Sequence, residues 1–148
     1  MNIIITLPQE LIAEILNGHK TIELRKNFPI HYRENLDWVY VVTKGKATVQ
    51  LAFQISGYIK SNMFGHIWQF KGKRLCIPFD WYAKYTQNAR YVVLWQIVKI
   101  AYAKKPIPLS DIKHNAKAPQ SFVYCDTPFE ELPFTIMTNL KTRKKAVQ

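Results

Sequence analysis

The stretch 17-NGHKTIELRK-26 holds three cations, one carboxylate and a histidine within ten residues. Its second half alternates as a β-strand does, which places Ile22 and Leu24 on one face and Thr21, Glu23 and Arg25 on the other. The strand therefore offers an apolar face to a core. Its charged face is directed either into solvent or into a cleft.

Lys20 stands at the start of this alternation and raises a separate question. Strict alternation puts Lys20 on the side of Ile22, away from Glu23. Because Lys20 directly follows Gly18 and His19, a twist of the chain could turn it towards the charged face. In solvent such charges form a surface ion pair worth at most about 1 kcal/mol, whereas the lower dielectric of a cleft strengthens each charge.

The residues around this stretch predict strands joined by a few short helices. Apolar residues at helical spacing indicate a first helix that ends at Gly18, and a change of period in the longest strand predicts a bend or bulge near Gln96. Residues 57–75 carry no clear pattern. The predicted elements are a buried strand (2–7), a helix (8–18), a strand (20–25), a loop (27–35), strands over 36–43 and 46–56 joined by a turn at Lys44–Gly45, a helix (79–85), a long strand (90–103), and a short helix, a loop and a strand within 110–125.

This order of elements predicts an α+β fold, a small mixed and barrel-like sheet with flanking helices. Neither an internal repeat nor a linker divides the chain, so we expect a single domain over residues 1–140. The segment 141-KTRKKAVQ-148 adds four cations without an acid and is predicted to be a disordered basic tail.

The chain is strongly basic, with 21 Lys and Arg against 10 Asp and Glu, a net charge of +11 and a pI of about 9.7. Between Trp38 and Ser110 a single acid, Asp80, stands against eleven Lys or Arg. Such a distribution attracts polyanions, and nucleic acid is the commonest polyanion that a small basic domain meets. The alternative is a basic surface without a functional partner.

The remaining composition argues against several classes of protein. Two cysteines, Cys76 and Cys125, indicate free thiols in a reducing compartment, and four scattered histidines favour neither a metal site nor another cofactor. The longest apolar segment, 91–103, is interrupted by Gln96 and Lys99, and the N-terminus lacks the pattern of a secretion signal. We therefore expect a cytoplasmic protein without a membrane partner.

The pattern Gly18-x-Lys20-x-x-Glu23-x-Arg25, which follows a strand and a Pro-initiated helix, resembles the GxKxxExR signature of the ASCH domain family. The segment 118-APQSFVY-124 resembles the closing segment of longer ASCH members. The likeness covers most of residues 1–125 and is weakest over 57–75, which we interpret as an insertion.

The resemblance implies a PUA-like fold, a small mixed β-barrel with flanking helices, in a superfamily that includes RNA-binding modules and readers of modified bases. It also implies that Lys20, Glu23 and Arg25 line a cleft beside the barrel. There Lys20 and Arg25 would meet a phosphate or a base edge, and Glu23 would hold Arg25 or accept a hydrogen bond from an exocyclic amine. The expected partner is RNA, another nucleic acid or a modified nucleoside, and the sequence leaves protein partners unknown.

Further binding candidates come from the closing segment and from the aromatic residues. Gln120 and Ser121 could add hydrogen bonds, and an unpaired base could stack on an aromatic ring. For any single ring, and for Trp95 most of all, packing in the core is the ordinary interpretation. The candidates for stacking are Trp38, Tyr40, Trp81 and Tyr124.

Two enzymatic alternatives use the same residues. Some ASCH relatives are amidohydrolases that deacylate an N4-acetylated cytidine with the motif lysine, a threonine and an acid. Here Lys20 matches the lysine, Glu23 takes the place of the threonine, and Asp80 is the nearest candidate for the acid. An adjacent Glu23 keeps Lys20 charged, which weighs against a lysine base.

The second chemistry is metal-independent RNA cleavage, with which relatives of the family have been linked. Glu23 would deprotonate a 2′-hydroxyl while Lys20 and Arg25 stabilise the developing charge. A third alternative is a partner-binding module of phage or plasmid origin whose basic surface is incidental.

Overall fold

The computed structural model describes residues 1–137, which form a seven-stranded mixed sheet with four helices, so the predicted α+β class is confirmed. The predicted tail, 141–148, lies outside the described residues. The strands are β1 (Asn2–Leu7), β2 (Ile22–Arg25), β3 (Val39–Thr43), β4 (Thr48–Ser61), β5 (Val92–Pro108), β6 (Val123–Cys125) and β7 (Thr135–Ile136). The helices are α1 (Gln9–Leu16), α2 (Phe64–Leu75), α3 (Phe79–Thr86) and α4 (Leu109–Ile112), with a 3-10 turn at Phe129–Glu131.

The strands follow the order β2-β5-β4-β3-β1-β6, and β7 pairs with β5 outside this path. β1 and β3 are parallel, and the other pairs are antiparallel. Within residues 1–137 the edge strands β2 and β6 do not pair with each other, so the sheet is open, unlike the barrel that we expected. No backbone ladder joins β2 to β6 in these residues, but the Arg25 side chain on β2 donates a hydrogen bond to the carbonyl of Ser121, just before β6.

Three register shifts interrupt the pairing of the long strands β4 and β5, and two of them are bulges that contain a residue with a positive φ. On β5 the extra residue falls at Lys99, whose φ is 47°, three residues beyond the bend predicted near Gln96. On β4 it falls at Gly57, whose φ is 84°, between the pairs that Ile55 and Tyr58 form with β5. The β4 bulge lies close to the charged strand, because the partner of Tyr58 on β5 also pairs with Glu23 of β2.

The core is divided among the two faces of the sheet and the α2–α3 side. One cluster joins β1, β3, β4 and β5 to α1 and includes Trp95, which is fully buried as expected of a core ring. A second cluster on the opposite face contains Trp38 and Tyr40. In a third cluster Ile22 and Leu24 pack against α2 and α3, so the apolar face of the opening stretch is buried as predicted.

The segment that carried no clear pattern, 57–75, is regular in the structure. Its first residues continue β4 to Ser61, and α2 follows until Cys76, whose left-handed φ of 57° ends the helix. None of the helices formed by residues 1–137 combines the length and the apolar character needed to cross a bilayer.

Candidate functional site

A cleft of about 830 Å³ lies where the end of β1, the start of α1 and the strand β2 meet α3. The turn between β3 and β4, the link between α2 and α3 and the loop 118–120 complete its walls. Lys20, Glu23 and Arg25 all line it, together with Gln120 from the closing segment. The residues of the sequence motif therefore meet at one concave surface.

The direction of Lys20 follows from the backbone before it. Gly18 has a φ of 86°, which turns the chain sharply after α1, and β2 begins only at Ile22. Lys20 is therefore not subject to the alternation of the strand, and its side chain reaches Glu23, with 3.3 Å between Nζ and Oε1. The twist considered from the sequence is present.

The ammonium of Lys20 is 1% exposed and is fully engaged inside the protein. Besides the Glu23 contact, Nζ donates to the carbonyl oxygens of Ile22 and Leu75, each at 2.7 Å. Leu75 is the last residue of α2, and a carbonyl there has no partner within its own helix. Lys20 thus joins β2, the end of α2 and the carboxylate of Glu23.

Glu23 is 4% exposed, and both of its carboxylate oxygens accept from cations. Oε1 faces Lys20, while Oε2 lies 3.1 Å from Nε and 3.0 Å from Nη2 of Arg25. Burial alone would raise the pKa of Glu23, but the positive charges of Lys20 and Arg25 outweigh burial and lower this pKa below its usual value. The carboxylate is therefore ionised at neutral pH.

Arg25 connects this ion triad, defined as Lys20, Glu23 and Arg25, to the closing segment. Its Nη1 donates to the backbone carbonyl of Ser121 at 3.1 Å, and its guanidinium lies 5.5 Å from the ring centroid of Trp95. The side chain remains 15% exposed towards the cleft. Ser121 thus contacts the triad through its main chain.

A pair of aromatic rings forms another wall of the cleft. Trp81 and Tyr85 lie one turn apart on α3, with their ring centroids 5.1 Å apart and their planes only 13° from parallel. Trp81 is 48% exposed. The ammonium of Lys26 lies 5.1 Å from the Tyr85 ring, and Lys44 reaches the cleft from the β3–β4 turn. The wall presents a π surface with cations beside it.

The other candidates lie elsewhere. Tyr124 is on β6, where its hydroxyl accepts from the backbone N–H of His31 at 3.1 Å, and it is not among the residues from 1–137 that line the cleft. Asp80 is exposed on α3 and likewise outside the lining. Of the four rings considered for stacking, Trp38 and Tyr40 are core and Trp81 lines the cleft.

Sequence reasoning missed Tyr85 and Lys44. It also missed the hydrogen bond that the Ile22 carbonyl of β2 accepts from Lys20. The i, i+4 spacing of Trp81 and Tyr85 within the predicted 79–85 helix was the available signal, since such residues share a helix face. Lys44 was assigned to a turn, and a turn residue gives no indication from sequence of which cavity it approaches.

No family model matches the chain, and no curated protein matches it in sequence. Among solved structures, the ASCH protein from Zymomonas mobilis is similar over 83% of this chain and 86% of its own, with 18% identity and a TM-score of 0.69. Its serine-to-alanine mutant matches over 97% of this chain and 93% of its own, with 17% identity and a TM-score of 0.68. A tyrosine-to-phenylalanine mutant matches over 97% and 95%, with 18% identity and a TM-score of 0.68. The chain therefore has the fold of the ASCH domain, as the resemblance of its 18–25 motif predicts.

Proposed function

We propose that the chain binds single-stranded RNA and holds an unpaired base in the cleft against Trp81 and Tyr85. The observation that carries the proposal is that a stacked aromatic pair with an exposed Trp81 lines the same cleft as the ion triad. Base–aromatic stacking is the usual way in which proteins hold unpaired bases, and it tolerates any sequence because every base has a π face.

The size and the charge of the cleft support the same function. Its volume of about 830 Å³ falls in the range of roughly 300–1,000 Å³ typical of small-ligand sites, which suits one nucleotide of a longer strand. The net charge of +11 favours a polyanion over a free neutral ligand. The ASCH fold agrees with this, since its PUA-like superfamily includes RNA-binding modules.

The charged side chains of the site have different roles in the proposed binding. Lys20 donates its hydrogens inside the protein, so it holds the cleft together and contributes its field rather than a direct contact. Arg25 keeps N–H groups beyond its three internal bonds and is partly exposed. Lys26 and Lys44 are exposed beside the cleft and are the side chains we assign to phosphate groups.

The geometry favours binding over the enzymatic alternatives. A lysine base needs a free lone pair, whereas Nζ of Lys20 is engaged by two carbonyls and a carboxylate. A carboxylate base works best with a pKa near the operating pH, whereas the pKa of Glu23 is lowered by its cationic neighbours. The contacts of Lys20 and the lowered pKa of Glu23 therefore both favour a binding role.

The proposal is tested by titrating labelled single-stranded RNA and following its fluorescence anisotropy with the wild-type chain and Trp81→Ala. Loss of one stacking ring is worth about 1–3 kcal/mol, so Trp81→Ala should weaken binding by roughly five- to one-hundredfold. Phe79→Ala is the matched control, because Phe79 is an exposed ring of the same helix that does not line the cleft in residues 1–137. It should bind RNA as the wild type does.

The integrity of the RNA is checked on a denaturing gel in the same samples, and acetate release from an N4-acetylated cytidine is measured in parallel. Intact RNA and no acetate are expected. Shortened RNA or released acetate would replace the proposal with one of the enzymatic alternatives. If the wild type binds no RNA, or if Phe79→Ala weakens binding as much as Trp81→Ala does, the proposal is wrong and a protein-binding module becomes the better interpretation.

A further inference from the structure

The main chain of β2 has a free edge, and that edge faces the cleft. β2 ends the sheet and pairs only with β5 in the described residues. Thr21 accepts from the N–H of Ile97 at 2.9 Å, and in an antiparallel ladder such bonding recurs at every second residue. Glu23 and Arg25 therefore direct their backbone groups to β5, whereas Ile22 and Leu24 direct theirs outward.

The two outward residues differ in one respect. The carbonyl of Ile22 already accepts from Lys20 at 2.7 Å. Leu24 lines the cleft, and its side chain packs in the cluster with α2 and α3 while its backbone groups point away from β5. Within residues 1–137 no hydrogen bond outside the β2–β5 ladder engages the N–H or the C=O of Leu24, and the alternation of the ladder directs both groups away from β5. Backbone groups in a concave site rarely remain without a partner.

Glu23 adds a third group to this edge. Its Oε1 contacts the same ammonium that holds the Ile22 carbonyl, so Oε1 lies on the Ile22 side of Leu24. A carboxylate oxygen accepts two hydrogen bonds, and Oε1 has only Lys20, whereas Oε2 takes two N–H groups from Arg25. Along the cleft the edge therefore offers an acceptor at Glu23, a donor at the Leu24 N–H and an acceptor at the Leu24 C=O.

We infer that this edge reads the base held in the cleft and selects adenine, an inference that rests on the proposed function. The exocyclic amine of adenine donates to Oε1 of Glu23, and its neighbouring ring nitrogen accepts from the Leu24 N–H. The carbon-bound hydrogen beyond that nitrogen faces the Leu24 C=O, a weak but favourable contact. The aromatic wall holds the base plane, and the main chain of β2 supplies the specificity.

The other bases match this pattern less well. Cytosine offers the amine and the ring acceptor, but its carbonyl oxygen then opposes the carbonyl of Leu24. Guanine and uracil place an N–H opposite the Leu24 N–H in either orientation. An unmatched pair of polar groups costs free energy because both partners lose their hydrogen bonds to water. The expected order of affinity is adenine, then cytosine, then guanine and uracil.

Nucleotide analogues test the pattern on the wild-type chain without any mutation. Titration calorimetry compares the monophosphates of adenosine, cytidine, guanosine and uridine with that of 2,6-diaminopurine riboside. The added amine of diaminopurine meets the Leu24 C=O, so its nucleotide should bind about three- to tenfold more tightly than the adenosine nucleotide. Purine riboside monophosphate, which lacks the exocyclic amine, should bind about three- to tenfold more weakly than the adenosine nucleotide.

Leu24→Pro removes the donor itself, since proline has no N–H, and an edge strand tolerates proline where the N–H points away from the ladder. Ile67→Val is the control, because it also trims a buried side chain of the same cluster, lies outside the cleft lining in residues 1–137 and leaves the main chain of β2 unchanged. On short single-stranded homopolymers of A, C, G and U, Leu24→Pro should lose the preference for A while still binding all four. Ile67→Val should keep the preference.

The outcomes separate this inference from the proposed function. Equal affinity of the wild type for all four homopolymers, or no gain from diaminopurine, would overturn the selection of adenine and leave RNA binding standing. Selective binding of the adenosine nucleotide without binding of any polymer would support the reading edge and reject RNA as the ligand. Failure to bind either polymers or nucleotides would reject both.

Discussion

Lys20 shows how a motif residue can serve a site without touching its ligand. Its ammonium sits where a strand edge, the end of a helix and a carboxylate converge, and each of them needs a donor or a positive charge. Lysine provides a methylene stem long enough to cross from the turn after α1 to Leu75, and its ammonium carries three donors. The stability of the cleft in the absence of ligand should therefore depend on this residue.

Lys20→Met should lower the free energy of unfolding by roughly 3–5 kcal/mol, because it leaves Glu23 buried with one cation fewer and two carbonyls without a donor. Urea denaturation followed by tryptophan fluorescence measures the change. Lys44→Met is the matched control, an exposed lysine of the same cleft, and it should change the free energy of unfolding by at most about 0.5 kcal/mol.

A second variant distinguishes lost contacts from poor packing of methionine. Adding Glu23→Gln to Lys20→Met removes the uncompensated carboxylate, so the double variant should be more stable than the sum of the two single losses predicts. A Lys20→Met chain as stable as the wild type would contradict the role of Lys20 in joining β2, α2 and Glu23. Lys20 would then be interpreted as a ligand-binding side chain.

The resemblance of residues 18–25 to the GxKxxExR signature predicted that Lys20, Glu23 and Arg25 meet, whereas the period of the strand placed only Glu23 and Arg25 on a common face. The partners of Lys20 were not predictable. Its bond to Leu75 depends on where α2 ends in space, and 57–75 gave no readable pattern. Its direction depends on the positive φ of Gly18, which the sequence permits but does not require.

At the scale of elements, the order of strands and helices was predicted over residues 1–56 and 79–125, whereas α2, the end of β4 and β7 were missed. The predicted strand 46–56 stops before Gly57, yet Gly57 is an extra residue in a strand that continues to Ser61. In α2 a side chain at position 72 would meet the ring of Trp68 at 3.1 Å, so Gly72 fits the ring rather than ending the helix. A pattern based on propensity alone reads both glycines as interruptions.

Gly57→Ala should lower the free energy of unfolding by about 1–2 kcal/mol, because a φ of 84° is unfavourable for any residue with a Cβ. No atom lies within 4 Å of the added carbon, so the loss would be a backbone effect rather than a clash. Gly65→Ala is the control: its added carbon also meets nothing within 4 Å, but it lies in α2, where alanine is favoured by about 0.5–1 kcal/mol. Thermal unfolding of both variants checks the prediction, which fails if the two shift in the same direction.

At the scale of the whole molecule, the sequence reveals how much positive charge the chain carries but not which part of it faces a ligand. The eleven cations between Trp38 and Ser110 are distributed over the β3–β4 turn, the end of β4, α2, α3, the link before β5 and β5 itself. Only the folded arrangement shows that Lys44 approaches the same cleft as the triad and that Lys26, from the end of β2, stands over Tyr85. The total charge of the chain and the lysines beside the cleft therefore make different predictions for RNA binding.

Removing Lys26 and Lys44 together should weaken binding equally for every RNA sequence and flatten its dependence on salt. Each phosphate contact on a single strand contributes about 0.7 to the slope of log affinity against log salt, so the double alanine variant should lose about 1.4. Lys104→Ala/Lys105→Ala removes the same charge from exposed residues that do not line the cleft within the described chain. If only net charge attracts the RNA, both double variants will flatten the salt dependence alike. If the cleft directs the strand, the Lys104/Lys105 variant keeps the wild-type slope, and anisotropy titrations over a series of salt concentrations decide between the two.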